Sequence, residues 1–183
     1  MKALVLAVSA AALTTALPAS AGIMTIGGSY AEGCYKAAEQ HSITLESLNT
    51  CDRAFTEEAL TRDDEMATHV NRGILLMLRD DYGKAHSDFS TAMAMNPNRS
   101  EPYMNLAILQ LRNGKSAEAV PLFSKAIELG TELPEVAYYG RALAHEDVGN
   151  VRAAYADLQR ATSLKPKWAA PARDLARYQV RRR

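Results

Sequence analysis

Residues 85–97, AHSDFSTAMAMNP, set Ala85 four positions before Phe89, Ala92 three after it and Pro97 eight after it. The same intervals return at Ala119, Phe123, Ala126 and Thr131, and again at Ala154, Leu158, Ala161 and Pro166. The steps between copies are 34 and 35 residues. Self-similarity at such a period marks a repeat architecture, in which a unit that cannot bury its apolar face alone stacks on copies of itself. No catalytic group takes part in the pattern, which points away from an enzyme.

Working outward, Gly73, Ala107 and Ala142 stand twelve residues before Ala85, Ala119 and Ala154, and His69, Tyr103 and Tyr138 stand four residues earlier again. A small residue lets two helices approach closely, and rings fill the wedge beside it. Runs rich in Ala, Leu, Met, Glu, Lys and Arg alternate with short breakers at 80–83, 96–99, 113–114, 130–134, 149–150 and 165–167. Strand signals are absent. Breakers this short force consecutive helices to turn back on one another, so the expected product is an all-α series of helical hairpins.

The chain has 183 residues, 48% of them apolar and 23% charged, an ordinary balance for one globular domain. Its first 21 residues differ: Lys2, an apolar run, then Ala19-Ser20-Ala21 before Gly22. This reads as a secretory signal at 1–21 cut after Ala21; the apolar run is shorter than the roughly 20 residues needed to span a bilayer. The expectation is a periplasmic or secreted protein of a bacterial envelope, without a stable membrane anchor after signal removal.

These residues resemble the tetratricopeptide repeat: ring residue, small residue, Ala, aromatic, Ala and Pro, in three copies at 66–99, 100–133 and 135–168. Arg72 and Arg141 stand where the family has a Leu, and Thr131 where it has the second Pro. The resemblance implies an α-solenoid of helical hairpins whose first helices line a concave surface that holds a peptide or partner protein. It implies no chemistry and no cofactor.

Residues 22–65 form an N-terminal segment ahead of the first copy, and within it Cys51 and Ala54 are spaced like Phe89 and Ala92. The first-helix partner position, 17 residues earlier, holds Arg72 and Leu106 in the first two full copies and Cys34 here. Cys34 and Cys51 flank a turn near Ser42 and suit a disulfide across a degenerate hairpin in an exported chain. At the other end, residues 169–183 read as a capping helix and basic tail, with Leu175 and Ala176 where a fourth copy would place its inner pair.

Charge is unevenly spread. Residues 22–159 hold 12 basic and 20 acidic side chains, whereas Arg160, Lys165, Lys167, Arg173, Arg177 and Arg181–Arg183 face only Asp174. A solvated cap with cations at a helix C-terminus explains the basic end better than nucleic acid, since no aromatic residues interleave. An acidic front and a basic back also suit weak, salt-sensitive head-to-tail self-association.

Candidate chemistry is sparse. His41, His69, His86 and His145 lack metal-ligand spacing, and no phosphate-binding glycine loop or nucleophile elbow occurs. His69 takes a ring position in its repeat, where packing is its expected role. His145, Glu146 and Asp147 are consecutive on a helix and point apart. The candidate site is therefore the concave face: Val70, Asn71, Ile74 and Met77, then Met104, Asn105, Ile108 and Leu111, then Tyr139 and Leu143. These helices are apolar on both faces, so they are expected to be covered on both sides, either by neighbouring helices or by a ligand. In the resemblance, Asn71 and Asn105 match an Asn that contacts bound peptide in some family members. Two functions of different class remain. One is an envelope adaptor that holds an apolar or amphipathic segment in the groove. The other is a structural or assembly subunit that acts through its outer face or ends, its groove filled by GIMTIGGSYAEG at 22–33.

Overall fold

The computed structural model describes residues 29–178. The expected signal at 1–21, residues 22–28 and the final arginines lie outside that range. Nine helices occur among the described residues, and no strands: α1 (Ser29–Glu39), α2 (Leu45–Glu57), α3 (Arg62–Leu78), α4 (Tyr82–Met95), α5 (Ser100–Arg112), α6 (Ser116–Glu128), α7 (Pro134–Asp147), α8 (Val151–Leu164) and α9 (Ala169–Leu175). They pair as hairpins α1–α2, α3–α4, α5–α6 and α7–α8, and each hairpin packs on the next, with α9 against α8. The fold is an α-solenoid. Odd-numbered helices run one way and even-numbered helices the other.

The turns inside the full hairpins share one backbone device. Gly114 and Gly149, 35 residues apart, take φ of 72° and 78°. Asp80, at the same place in the first copy, takes φ 61°, so a left-handed residue closes all three turns. A short polar side chain tolerates that region better than most, which is why an aspartate serves where the other copies have glycine. The residues after these positions start the second helices: Asp81 and Asn150 accept from the backbone N–H of Lys84 and Ala153, whereas Lys115 offers no capping side chain. Between copies, four residues join α4 to α5 but five join α6 to α7, with Gly130 left-handed at φ 75°. That extra residue accounts for the 35-residue step.

The repeat positions form the core. Phe89, Phe123 and Leu158 are buried, as are the alanines at 85, 92, 119, 126, 154 and 161. In the full copies, helix approach depends on missing side chains at two places. A Cβ on Gly73 of α3 would lie 2.5 Å from Phe89 Cε1 of α4, and one on Gly140 of α7 would lie 2.4 Å from Phe123 Cζ of α6. The first contact closes a hairpin; the second locks one hairpin to the next.

The front hairpin is built differently. Its buried positions are Ala31, Cys34, Ala37, Ala38, Ser47, Cys51 and Ala54, all small. The Cys34 and Cys51 sulfurs are 2.05 Å apart, at bonding distance, joining α1 to α2. At the hairpin's other end Glu58 accepts from the backbone N–H of Tyr30 and Ala31 at 2.6 and 3.1 Å, where a carboxylate suits the helix dipole. Residues 29–33 lie within α1, which packs on α2 and α3, so this half of GIMTIGGSYAEG is hairpin and does not fill the groove.

Candidate functional site

The ten candidate residues fall into rows one repeat apart on α3, α5 and α7: Val70, Met104 and Tyr139; Asn71 and Asn105; Ile74, Ile108 and Leu143; Met77 and Leu111. Nine of them are no more than 8% exposed, and Leu111 is half-buried. The inner helices are thus covered on both sides, as apolar character on both faces requires. Asn105 is turned to its own helix, donating from Nδ2 to the Glu101 carbonyl at 2.9 Å. Tyr139 donates to Asp174 Oδ2 of α9 at 2.7 Å and meets the Trp168 ring edge-on at 4.9 Å. Burial, and then this hydrogen bond to a carboxylate, push the Tyr139 hydroxyl's pKa well above its ordinary value. Tyr139 therefore ties the last helix to the third copy.

Two buried ion pairs went unread in the sequence. Arg141 holds Asp157 through two hydrogen bonds of 2.8 Å and also donates to Ser124 Oγ at 3.0 Å. Arg72 holds Asp88 in the same way, at 2.8 and 2.7 Å, and reaches Asp52 at 2.7 Å. Asp88 is further held by His69 Nδ1 at 2.8 Å, and the His69 ring packs at 4.5 Å on Phe55. Burial works to raise the Asp88 pKa, but the hydrogen bonds and charges of Arg72 and His69 hold it below the usual carboxylate range. The middle copy has Leu106 and Leu122 at these two positions. The signal was present: the arginines depart from a leucine position, and their aspartates depart from another in the same two copies.

His145, Glu146 and Asp147 reach three separate partners. His145 Nε2 lies 4.0 Å from Asp157, Glu146 accepts from Arg177 at 2.9 Å, and Asp147 accepts from Ser116 Oγ at 2.6 Å. Among the described residues no group of three or more His, Cys, Asp or Glu is placed to hold a metal ion. No described helix is long and apolar enough to cross a membrane.

Comparison with known proteins agrees with this geometry. Residues 89–120 and 136–167 each match a family model described as tetratricopeptide repeat. Two segments of the chain are thus similar to tetratricopeptide repeats. A curated human (Homo sapiens) relative, "Tetratricopeptide repeat protein 8", is 29% identical over 110 residues, covering 59% of this chain and 20% of that protein. This chain thus matches about a fifth of its relative's length. A solved structure described as "MamA RS-1 ArsTM double mutant" superposes with a TM-score of 0.66 at 18% identity, covering 81% of this chain and 82% of that one. That likeness shows that the helical fold seen here recurs over most of the stack. Tetratricopeptide repeats generally mediate protein–protein interaction, and proteins built from them are generally non-catalytic.

Proposed function

We propose that this chain is a non-catalytic adaptor of a bacterial cell envelope, exported by its first 21 residues, and that the layer formed by α3, α5 and α7 holds an apolar or amphipathic segment of a partner protein. The observation that carries this reading is the match of two segments to tetratricopeptide repeats, which generally mediate protein–protein interaction, with the half-buried Leu111 the accessible member of the apolar rows. Methionine and isoleucine adapt to a partner's side chains. A second reading, a structural subunit working through its outer face or ends, is favoured by the burial of nine of the ten residues.

A photo-crosslinking residue at Leu111, the half-buried member of the rows, distinguishes the two. The adaptor reading expects a discrete adduct to another protein in producing cells, and none from the exposed outer position Arg152. Adducts from Arg152 alone would establish the second reading.

Export and the disulfide belong together, because such bonds persist in oxidising compartments. In the chain-entropy model, closing the 17-residue separation between Cys34 and Cys51 stabilises by about 3 kcal/mol. Urea unfolding with and without reductant should differ by that amount. Equal midpoints, or free thiols in the denatured, unreduced protein, would remove both the bond and the compartment argument.

A further inference from the structure

We propose that the two ends of the stack dock on one another between molecules, the partner being a second copy of this chain that presents its α1–α2 hairpin and the start of α3 to the α8–α9 end. This is independent of any groove ligand. Residues 29–65 carry nine acidic and three basic side chains, and residues 160–178 five basic and one acidic. Of the three front cations, Lys36 is paired with Glu32 and Arg53 with Glu57, while Arg62 donates to the Met95 carbonyl. The single acid at the back, Asp174, accepts from Tyr139.

Solenoid topology gives these charges a register. Equivalent residues keep the same level along the helix axes, so three levels can be compared. At the level where odd helices begin, the front has Glu57, Glu58, Asp63 and Glu65, and the back has Lys165 and Lys167. At mid-height the front has Asp52 and the back Arg160, on α2 and α8. At the level where odd helices end, the front has Glu39 and Glu46, and the back has the Arg177 guanidinium, which reaches Glu146 in the last turn of α7 at 2.9 Å. The signs oppose at every level. Some of these groups are engaged within the chain, as Lys165 is with Glu135 and Arg177 with Glu146. Glu46, Asp63, Glu65, Arg160 and Lys167 make no ion pair among the described residues, which leaves them for a partner.

Apolar surface accompanies the charges. Leu45 is 67% exposed beside Glu46, and on α9 and just after it Ala172 and Ala176 are exposed beside Arg173 and Arg177. Helix α9 packs on α8, and Ala172, Arg173, Ala176 and Arg177 remain exposed on and just after it, a face that can continue the stack. Such a contact is heterologous: each copy keeps one free front and one free back, giving a chain of copies unless the rotation closes a ring.

Sedimentation velocity of the full chain, at salt of about 0.01 M and about 1 M, where the Debye length falls from about 30 Å to about 3 Å, reads this directly. The expected result is concentration-dependent association at low salt, weakened about tenfold or more at high salt. A back variant, R160E with K167E, and a front variant, E46K with E65K, should each sediment as a monomer while keeping parental helical content by circular dichroism. Mixed together they should regain association, since the native back of one meets the native front of the other and the two reversed surfaces are again opposite in sign. A parent that stays monomeric at low salt, association that survives both reversals, or a mixture that does not associate would each overturn the proposal.

Discussion

Replacing Phe123 with Ala should cost about 3–5 kcal/mol, because a large side chain leaves a filled site between two hairpins. Gly140 isolates this contact. A Cβ there would meet the Phe123 ring at 2.4 Å, against a rigid aromatic edge. Gly140→Ala alone should therefore destabilise by about 1–3 kcal/mol through overpacking. In the Phe123→Ala background the obstacle is gone, and alanine's helix preference over glycine should make the same change stabilising by about 1 kcal/mol. Urea titrations of the four proteins measure the cycle. A Gly140→Ala effect of the same size and sign in both backgrounds would mean that ring and glycine do not interlock.

Asp157→Ala should cost about 3 kcal/mol, the lower end of what removing one partner of a buried pair costs. The Asp157 side chain is 9% exposed and that of Arg141 20%, so the stranded guanidinium keeps some contact with water and retains Ser124. Replacing both residues with leucine should return stability to within about 1 kcal/mol of the parent, or above it, because well-packed apolar residues often match a buried ion pair. The molecule already contains that exchange: the middle copy carries Leu106 and Leu122 at the same two positions, packed in the main apolar cluster. A double leucine variant as unstable as Asp157→Ala would show that the third copy cannot accept the packing of the second.

The parts of the fold legible in the sequence are those fixed by one residue type at one spacing. Phe89, Phe123 and the alanines around them announce helix contacts because only small residues admit such close approach, and the period of 34 to 35 residues sets the stacking. Cys34 and Cys51 could be placed against one another because the same offset separates helix partners in the full copies. What escaped reading needed two residues considered together. Arg72 and Arg141 were visible as departures, but their aspartates lie 16 residues later on the partner helix. The turn at 80–83 was legible, but that Asp80 takes its left-handed backbone was not, because that region is normally signalled by glycine. For the candidate site, spacing shows that Ile74, Ile108 and Leu143 form a row, but exposure depends on how tightly the hairpins curl. Curl is a property of the whole stack, so the burial of that layer could not be read from any one repeat.

The solenoid is a one-dimensional stack, in which each hairpin is stabilised mainly by its neighbours. Amide hydrogen exchange, followed along the chain in the parent and in Asp157→Ala, tests it most directly. The account predicts faster exchange through α6 to α9, decaying along the stack so that α1 to α3 keep their parental protection. Equal acceleration at both ends would contradict it, because that is the response of a single undivided core.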